Sequence, residues 1–300
     1  MNRINTLPGI KPLALEDKPG LGSFFKQDNP QASELTFTNM FMWQAFYQPA
    51  WGIFEDCLLI WVHKPNGRIM LLPVMGKGDK RRAMEYGFNL MTEAGVQPCM
   101  GRVDQDFIDQ WVNLDVYKLE ERRNQADYVY LSQDLAALKG NRFHRKKNHL
   151  NKFLKSYPDY RYQPLTPDIL DQVKAFQEEW CVAREFTEGI LEEHNAIMLA
   201  LNNFEALAID GAAIFVDNQV VAYSLGEQLN RETAVIHIEK ANSDIHGAYV
   251  AINQMFCQNR WQDYMFINRE QDLGLPGLRA AKESYHPHYL LNKYLLTPKD

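Results

Sequence analysis

A chain of 300 residues holds one large or two ordinary domains, and 46% apolar with 23% charged residues is the balance of a soluble globular protein. A net charge of −6 excludes a general polycation, so contact with an anionic polymer has to come from a local basic patch. The four cysteines, Cys57, Cys99, Cys181 and Cys257, contain no CxxC pair, which argues against a zinc knuckle or a disulfide framework and fits reduced, buried thiols.

Residues 1–12 lack an apolar core of the secretory kind, and the longest apolar runs, Cys57–Val62 and Ile69–Met75, are strand-sized. A cytoplasmic protein with no transmembrane segment is the expectation. In the first half, Ser33 is placed to cap an aromatic helix reaching Tyr47. Cys57–His63 and Arg68–Val74 read as strands joined through Lys64-Pro65-Asn66-Gly67, where Asn-Gly supplies a hairpin turn. Asp79 caps a helix ending at Gly95, with Met84, Phe88 and Met91 on one face. A strand near Val96–Met100 and a helix near Asp106–Trp111 follow.

The second half opens with a strand at Tyr128–Leu131, a basic helix over Arg142–Ser156 and a strand at Tyr160–Tyr162. Thr166-Pro167-Asp168 is a helix start, with Ile169, Val173, Phe176 and Trp180 on its buried face, and a further helix covers Glu192–Asn202. Then come strands at Ala212–Val216, Val220–Glu227 and Thr233–Lys240, the first pair turned by Asp217-Asn218. A helix from His246 to about Arg260, a strand at Tyr264–Ile267, a helix over Pro276–Tyr285 and a strand at Tyr289–Leu296 complete the order.

From Tyr160 this is the element order of the GNAT acyltransferase fold, in which the fourth and fifth strands splay and an acyl donor enters the gap. The first half repeats part of it. The chain therefore reads as α+β, two GNAT-like domains with mostly antiparallel sheets flanked by helices. Residues 1–125 form a degenerate first domain and residues 126–300 the acyltransferase domain.

Three segments can carry chemistry. Between Gly140 and Pro158 there are six Lys or Arg and no acid. On a helix, Phe143, Leu150, Leu154 and Tyr157 share one face, while Arg145, Lys152 and Lys155, flanked by Arg142, share another that can hold phosphates. A solvated amphipathic helix would look the same. In the second segment, Asn268, Arg269, Glu270 and Asp272 crowd polar groups just past an apolar strand, where α/β sheets bind ligands. Gly277 lies in the opening turn of the next helix, whose free N–H groups favour an anion. Lys282 and Tyr285 are three apart on it, the first suited to a phosphate or oxyanion, the second to protonating a leaving group. A Glu270–Arg279 ion pair with a packed Tyr285 would explain the same residues structurally.

These two segments resemble the C-terminal domain of bacterial phosphatidylglycerol lysyltransferases, and more distantly the Fem-type peptidyltransferases. Asp134-Leu135 followed by the Arg142–Lys152 run, and Gly277-Leu278 with Lys282, carry the likeness over most of Tyr128–Pro287. The resemblance implies a tandem GNAT-like fold that moves an aminoacyl group from aminoacyl-tRNA to an amine or hydroxyl. It implies donor contacts from Arg142 and its basic neighbours Arg145, Lys146 and Lys147, and a site role for Lys282.

The third segment puts His237 and Glu239 on one strand face by simple alternation, either one a candidate general base. Gly247 opens a helix whose N–H groups can meet a donor phosphate. His286 and His288 have no third ligand near them, so no metal is expected. Three functions stay open: transfer from aminoacyl-tRNA, with tRNA on the Arg142–Lys155 helix and a small-molecule or lipid-headgroup acceptor; acyl-CoA-dependent N-acyl transfer; and a non-catalytic binding module. None needs a permanently bound cofactor.

Overall fold

The computed structural model describes residue 7 and residues 9–63, 67–184 and 188–299. The expected turn at Lys64-Pro65-Asn66 lies outside the described residues.

In chain order, β1 (Lys11–Pro12) is followed by α1 (Lys18–Asp28), α2 (Phe37–Met42) and α3 (Gln44–Tyr47), then β2 (Ala50–Phe54), β3 (Cys57–His63), β4 (Ile69–Leu71) and β5 (Met75–Gly76). Next come α4 (Lys80–Glu93), β6 (Met100–Val103), α5 (Gln105–Trp111) and β7 (Tyr117–Glu121). After these are β8 (Asp127–Leu131), α6 (Ser132–Ala137), α7 (His144–Ser156), β9 (Arg161–Pro164), α8 (Leu170–Val182), α9 (Glu188–Asn202) and α10 (Phe204–Leu207). The long strands β10 (Asp210–Val216), β11 (Gln219–Gln228) and β12 (Thr233–Ala241) lead to α11 (Ala248–Phe256), β13 (Phe266–Asn268), α12 (Pro276–Glu283), β14 (Tyr289–Leu291) and β15 (Tyr294–Pro298).

The chain divides into two compact units, residues 1–126 with 291–300, and residues 127–290. This corrects the expected second domain at its far end. The anticipated strand Tyr289–Leu296 is two strands: β14 closes the edge of the second sheet, and β15 lies between β6 and β7 in the first. The sheet orders are β1-β2-β3-β4-β6-β15-β7 and β14-β8-β13-β12-β11-β10-β9. Most pairings are antiparallel; β4 with β6 and β12 with β13 are parallel. The protein is α+β, with two mostly antiparallel sheets flanked by helices.

In the first unit, Leu59, Trp61, Leu71, Met84, Phe88 and Met91 are in one apolar cluster, so the face of α4 read from its periodicity is the buried one. Asp79 caps α4 by accepting from the amides of Arg81 and Arg82. Ser33 does not cap the aromatic helix. Thr36 does, accepting from Asn39 N, and the helix is broken at Trp43. The strand expected at Val96–Met100 begins only at Met100.

In the second unit, one sheet face carries Tyr128, Tyr130, Ile214, Ala234, Ile236 and Ile267 against Phe143 and Phe153 of the basic segment and Ile252 and Phe256 of α11. Leu150, Leu154 and Tyr157 pack against the same cluster. The Thr166 side chain accepts no capping hydrogen bond; a short 3-10 turn over Pro167–Ile169 leads into α8 instead. The helix expected from His246 starts at Ala248 and passes into a π-helical turn over Cys257–Trp261.

Candidate functional site

The β12–β13 pairing runs only from Thr233↔Phe266 to Val235↔Asn268. Past that point β12 continues to Ala241 paired only with β11, so β12 and β13 part. Opposite Leu225 and Gly226 of β11, the β12 partners are Ile238 and Ile236. His237 is therefore the extra residue of a β-bulge, and a bulge reverses the alternation beyond it. Simple alternation had put His237 and Glu239 on one face; the bulge separates them. Glu239 joins the face of Ile236, and His237 turns to Glu227.

On the Glu239 face the gap is lined by charge. Arg269, the first residue after β13, donates through Nη2 to Glu239 Oε1 at 2.9 Å, and Asn253 of α11 donates through Nδ2 to Glu239 Oε2 at 2.8 Å. The remaining faces of these two groups are unsatisfied: Arg269 Nη1 and Asn253 Oδ1 are buried with no hydrogen-bond partner. A buried donor and a buried acceptor left open beside one carboxylate is an arrangement a ligand would complete. Burial works against the Arg269 charge, but Glu239 outweighs it and keeps the guanidinium protonated.

Tyr285 organises the cations. The Arg269 guanidinium lies 4.6 Å and the Lys146 ammonium 3.9 Å from its ring centroid. Burial, then repulsion from Arg269, lowers the Lys146 pKa to about 8. Tyr130 packs edge-on to Tyr285 with centroids 6.5 Å apart and donates its hydroxyl to the Lys282 carbonyl at 2.8 Å. Burial pushes the Tyr285 hydroxyl far above its ordinary pKa, which suits a ring platform better than a proton donor.

Lys282 is buried, and its ammonium donates to the backbone carbonyls of Arg269 and Glu270. Burial, with Arg269 next, lowers its pKa to about 8. It holds the turn that aims Arg269, rather than facing open space. Asn268 points away from Arg269: its side chain donates to Asp127 and accepts from Glu270 N, so it shapes the same turn. Glu270 has a left-handed backbone, φ 58°, at the turn's corner.

The expected Glu270–Arg279 pair does not form. Asp272 takes Arg279 at 2.7 Å and also accepts from Tyr128. Burial opposes the Asp272 charge, but these hydrogen bonds hold its pKa well below the carboxylate range. Glu270 instead bonds His237 Nδ1 at 2.8 Å, while Glu227 bonds Nε2 at 2.9 Å. Burial alone would lower the His237 pKa; the two carboxylates outweigh it and raise it to about 10. Both ring nitrogens of His237 are thus engaged by carboxylates, which places it as an ion-pair partner of Glu227 and Glu270.

Of the basic helix, only Lys146 enters the gap; Arg145, Lys147, Lys152 and Lys155 are exposed. Arg142 pairs with Asp134 at 2.5 Å. Gly247 lies against α7 at the start of α11. A Cβ there would stand 2.3 Å from His149 O, so glycine is needed where α7 crosses the helix start. Gly277 lies on an exposed first turn, with nothing within 4 Å of where a side chain would begin. His286 packs on Phe143 and His288 on Phe266, so the two imidazoles do not converge. Asn253 and Tyr130 were not anticipated. The signal for Asn253 was an amide in the middle of the apolar stretch Ala248–Phe256.

The profile of the family described as "Phosphatidylglycerol lysyltransferase, C-terminal" matches residues 25–297. A conserved protein of unknown function from Bacteroides thetaiotaomicron VPI-5482 is 33% identical, with 98% of this chain and 100% of that chain covered and a TM-score of 0.92. L-PGS from Bacillus licheniformis shares the fold at 14% identity, with 95% and 92% covered and a TM-score of 0.66. So does the C-terminal domain of a putative lysylphosphatidylglycerol synthetase from Agrobacterium fabrum, at 12% identity, the same coverage and a TM-score of 0.66. An uncharacterized protein of Mycoplasmoides gallisepticum is 23% identical over 197 residues, 62% of this chain; the match spans 61% of that relative's length. Among the described residues no helix is long and apolar enough to cross a membrane.

Proposed function

We propose that this chain, which belongs to the phosphatidylglycerol lysyltransferase C-terminal family, moves an aminoacyl group from aminoacyl-tRNA to an amine or hydroxyl acceptor in the β12–β13 gap. The observation that carries the proposal is the pair of open buried groups, Arg269 Nη1 and Asn253 Oδ1, on either side of Glu239. An aminoacyl ester offers what each lacks. Its carbonyl oxygen accepts from Arg269, and its α-ammonium donates to Asn253 and Glu239.

The acceptor's nitrogen or oxygen attacks the ester carbon. A new C–N or C–O bond forms, the bond to the terminal ribose oxygen breaks, and that oxygen leaves as a hydroxyl. Negative charge gathers on the carbonyl oxygen during attack, where a guanidinium held in place before the reaction stabilises it most. Lys146, with its lowered pKa, takes the acceptor's proton when neutral and returns it to the ribose oxygen. The ester is already activated, so alignment supplies much of the rest. The exposed cations of α7 (Arg145, Lys147, Lys152 and Lys155) suit tRNA phosphates. The acyl-CoA alternative is disfavoured by one feature: the start of α11, where a donor pyrophosphate would sit, is packed under His149 and Phe153.

The test pairs binding with transfer. Unfractionated tRNA carrying radiolabelled amino acids is mixed with the protein and phosphatidylglycerol vesicles or a pool of small amines. Salt-dependent tRNA binding and label in the acceptor fraction, lost in Arg269→Gln, are expected. No binding at low salt together with no transfer overturns the proposal, and stabilisation by acetyl-CoA instead would replace the donor.

A further inference from the structure

The first unit contains its own parted strands and its own buried arginine, and nothing in the transfer chemistry uses them. β4 and β6 are paired only at Leu71↔Met100. Pro73 then removes the next donor, and Gly101 and Arg102 bulge opposite Leu295, since Tyr294 pairs with Val103 and Leu296 with Met100. The bulge puts Arg102 at φ 63°, a left-handed backbone rare for a side chain of that size. Such strain persists where the surroundings hold it, often at ligand sites. The Met70 side chain lies directly over Gly101, with Sδ 2.4 Å from where a Cβ would stand.

A cleft opens at this point, with about 340 Å³ of empty space that includes the open solvent at its mouth. Met40, Val62, Met70 and Leu72 form its apolar wall, and Glu34, Asn39 and Arg102 its polar end. Arg102 Nε donates to Glu34 at 3.0 Å, and Glu34 also receives Lys293 at 2.5 Å. Burial opposes the Glu34 charge, but Lys293 and Arg102 hold its carboxyl below the usual range. The end of the cleft is thus lined by one cation, Arg102, and one anion, Glu34, with Lys293 buried behind Glu34 and interacting also with Asp104. Arg102 Nη1 is buried with no partner. In both units a buried arginine beyond the parted strands pairs with one glutamate and leaves Nη1 open.

We infer that this cleft is a binding site for a small amphipathic monocarboxylate, its carboxylate on Arg102 Nη1 and its hydrocarbon along Met40, Val62, Met70 and Leu72. Arg102 is the one cation that lines the cleft, which suits a single negative charge, and Glu34 beside it repels a second. An apolar wall with one oriented charged group is the usual make-up of a small-ligand site.

Calorimetric titration of the full chain with octanoate, octanol and octylamine at neutral pH tests this. Octanoate binds with one-to-one stoichiometry, octanol at least tenfold more weakly, and octylamine gives no heat. Val62→Phe fills the apolar wall without touching the charges, and Arg102→Gln removes the anchor; each weakens octanoate at least tenfold. Absence of octanoate binding, equal affinity for octanol, or undiminished binding in folded Val62→Phe overturns the inference. If Arg102→Gln fails to fold, the ligand series on the parent chain and Val62→Phe decide the matter.

Discussion

Arg269 reaches Glu239 with one guanidinium nitrogen at 2.9 Å and leaves the other buried and unpartnered. The pair is thus both a fold contact and half of a ligand contact, and the two roles separate by mutation. Removing one member of a buried ion pair strands the other charge and costs about 3–5 kcal/mol. Arg269→Gln is expected to lose that much stability and to abolish transfer. Adding Glu239→Gln to it should recover most of the stability with no return of transfer. Urea unfolding and label transfer on both single variants and the double variant measure this. Recovery of transfer in the double variant would show that Arg269 serves only to neutralise Glu239.

Lys146 predicts a pH profile. Its pKa is lowered to about 8, so the neutral form that accepts a proton increases as pH rises through that value. The second-order rate constant for transfer should climb up to about pH 8 and then level. Lys146→Arg, which stays protonated, should lose about 100-fold or more and show no inflection there. The rate must be corrected for spontaneous ester hydrolysis, measured without protein.

His237 predicts a stability profile of the opposite sense. Its folded pKa of about 10 lies above the ordinary histidine value, so the folded state holds the extra proton between the two. The contribution is fully present below about pH 6.5 and is lost as pH rises towards 10, with a slope of at most about 1.4 kcal/mol per pH unit. Lys146 and Lys282, whose pKa values are lowered to about 8, push the other way above pH 8. The difference between the parent and His237→Gln cancels them. That difference in urea midpoint should shrink steadily from pH 6.5 to 10, and a flat difference would mean a neutral imidazole.

Gly247 separates packing from phosphate binding. Its φ of 87° and the 2.3 Å approach to His149 O predict that Gly247→Ala costs roughly 2–4 kcal/mol. Affinity for bulk tRNA, measured below the variant's melting temperature, should be unchanged. A large loss of affinity in a stable variant would restore the anion role to this glycine.

Much of the fold was legible because periodicity and capping chemistry are local. Met84, Phe88 and Met91 share the buried face of α4, and Asp79 caps it, as their spacing indicates. What one segment does not record was lost. The β12 bulge is a mismatch with β11, so alternation along β12 alone put His237 beside Glu239. Pairing choices among acids were equally hidden. Asp272 and Glu270 both stand within reach of several cations in sequence, and only the turn held by Asn268 and Lys282 decides that Asp272 takes Arg279 while Glu270 takes His237. Charge in the basic segment was visible, but not that Lys146 alone of its cations would lie over the Tyr285 ring.

The insertion of β15 between β6 and β7 sets an order on synthesis. Residues 294–298 supply an interior strand of the first sheet, yet all of residues 127–290 must leave the ribosome before them. Until then β6 and β7 lack their shared neighbour and expose unpaired edges, the kind of surface that nascent-chain chaperones cover. The second unit, contiguous in sequence, has no such wait and is free to fold first.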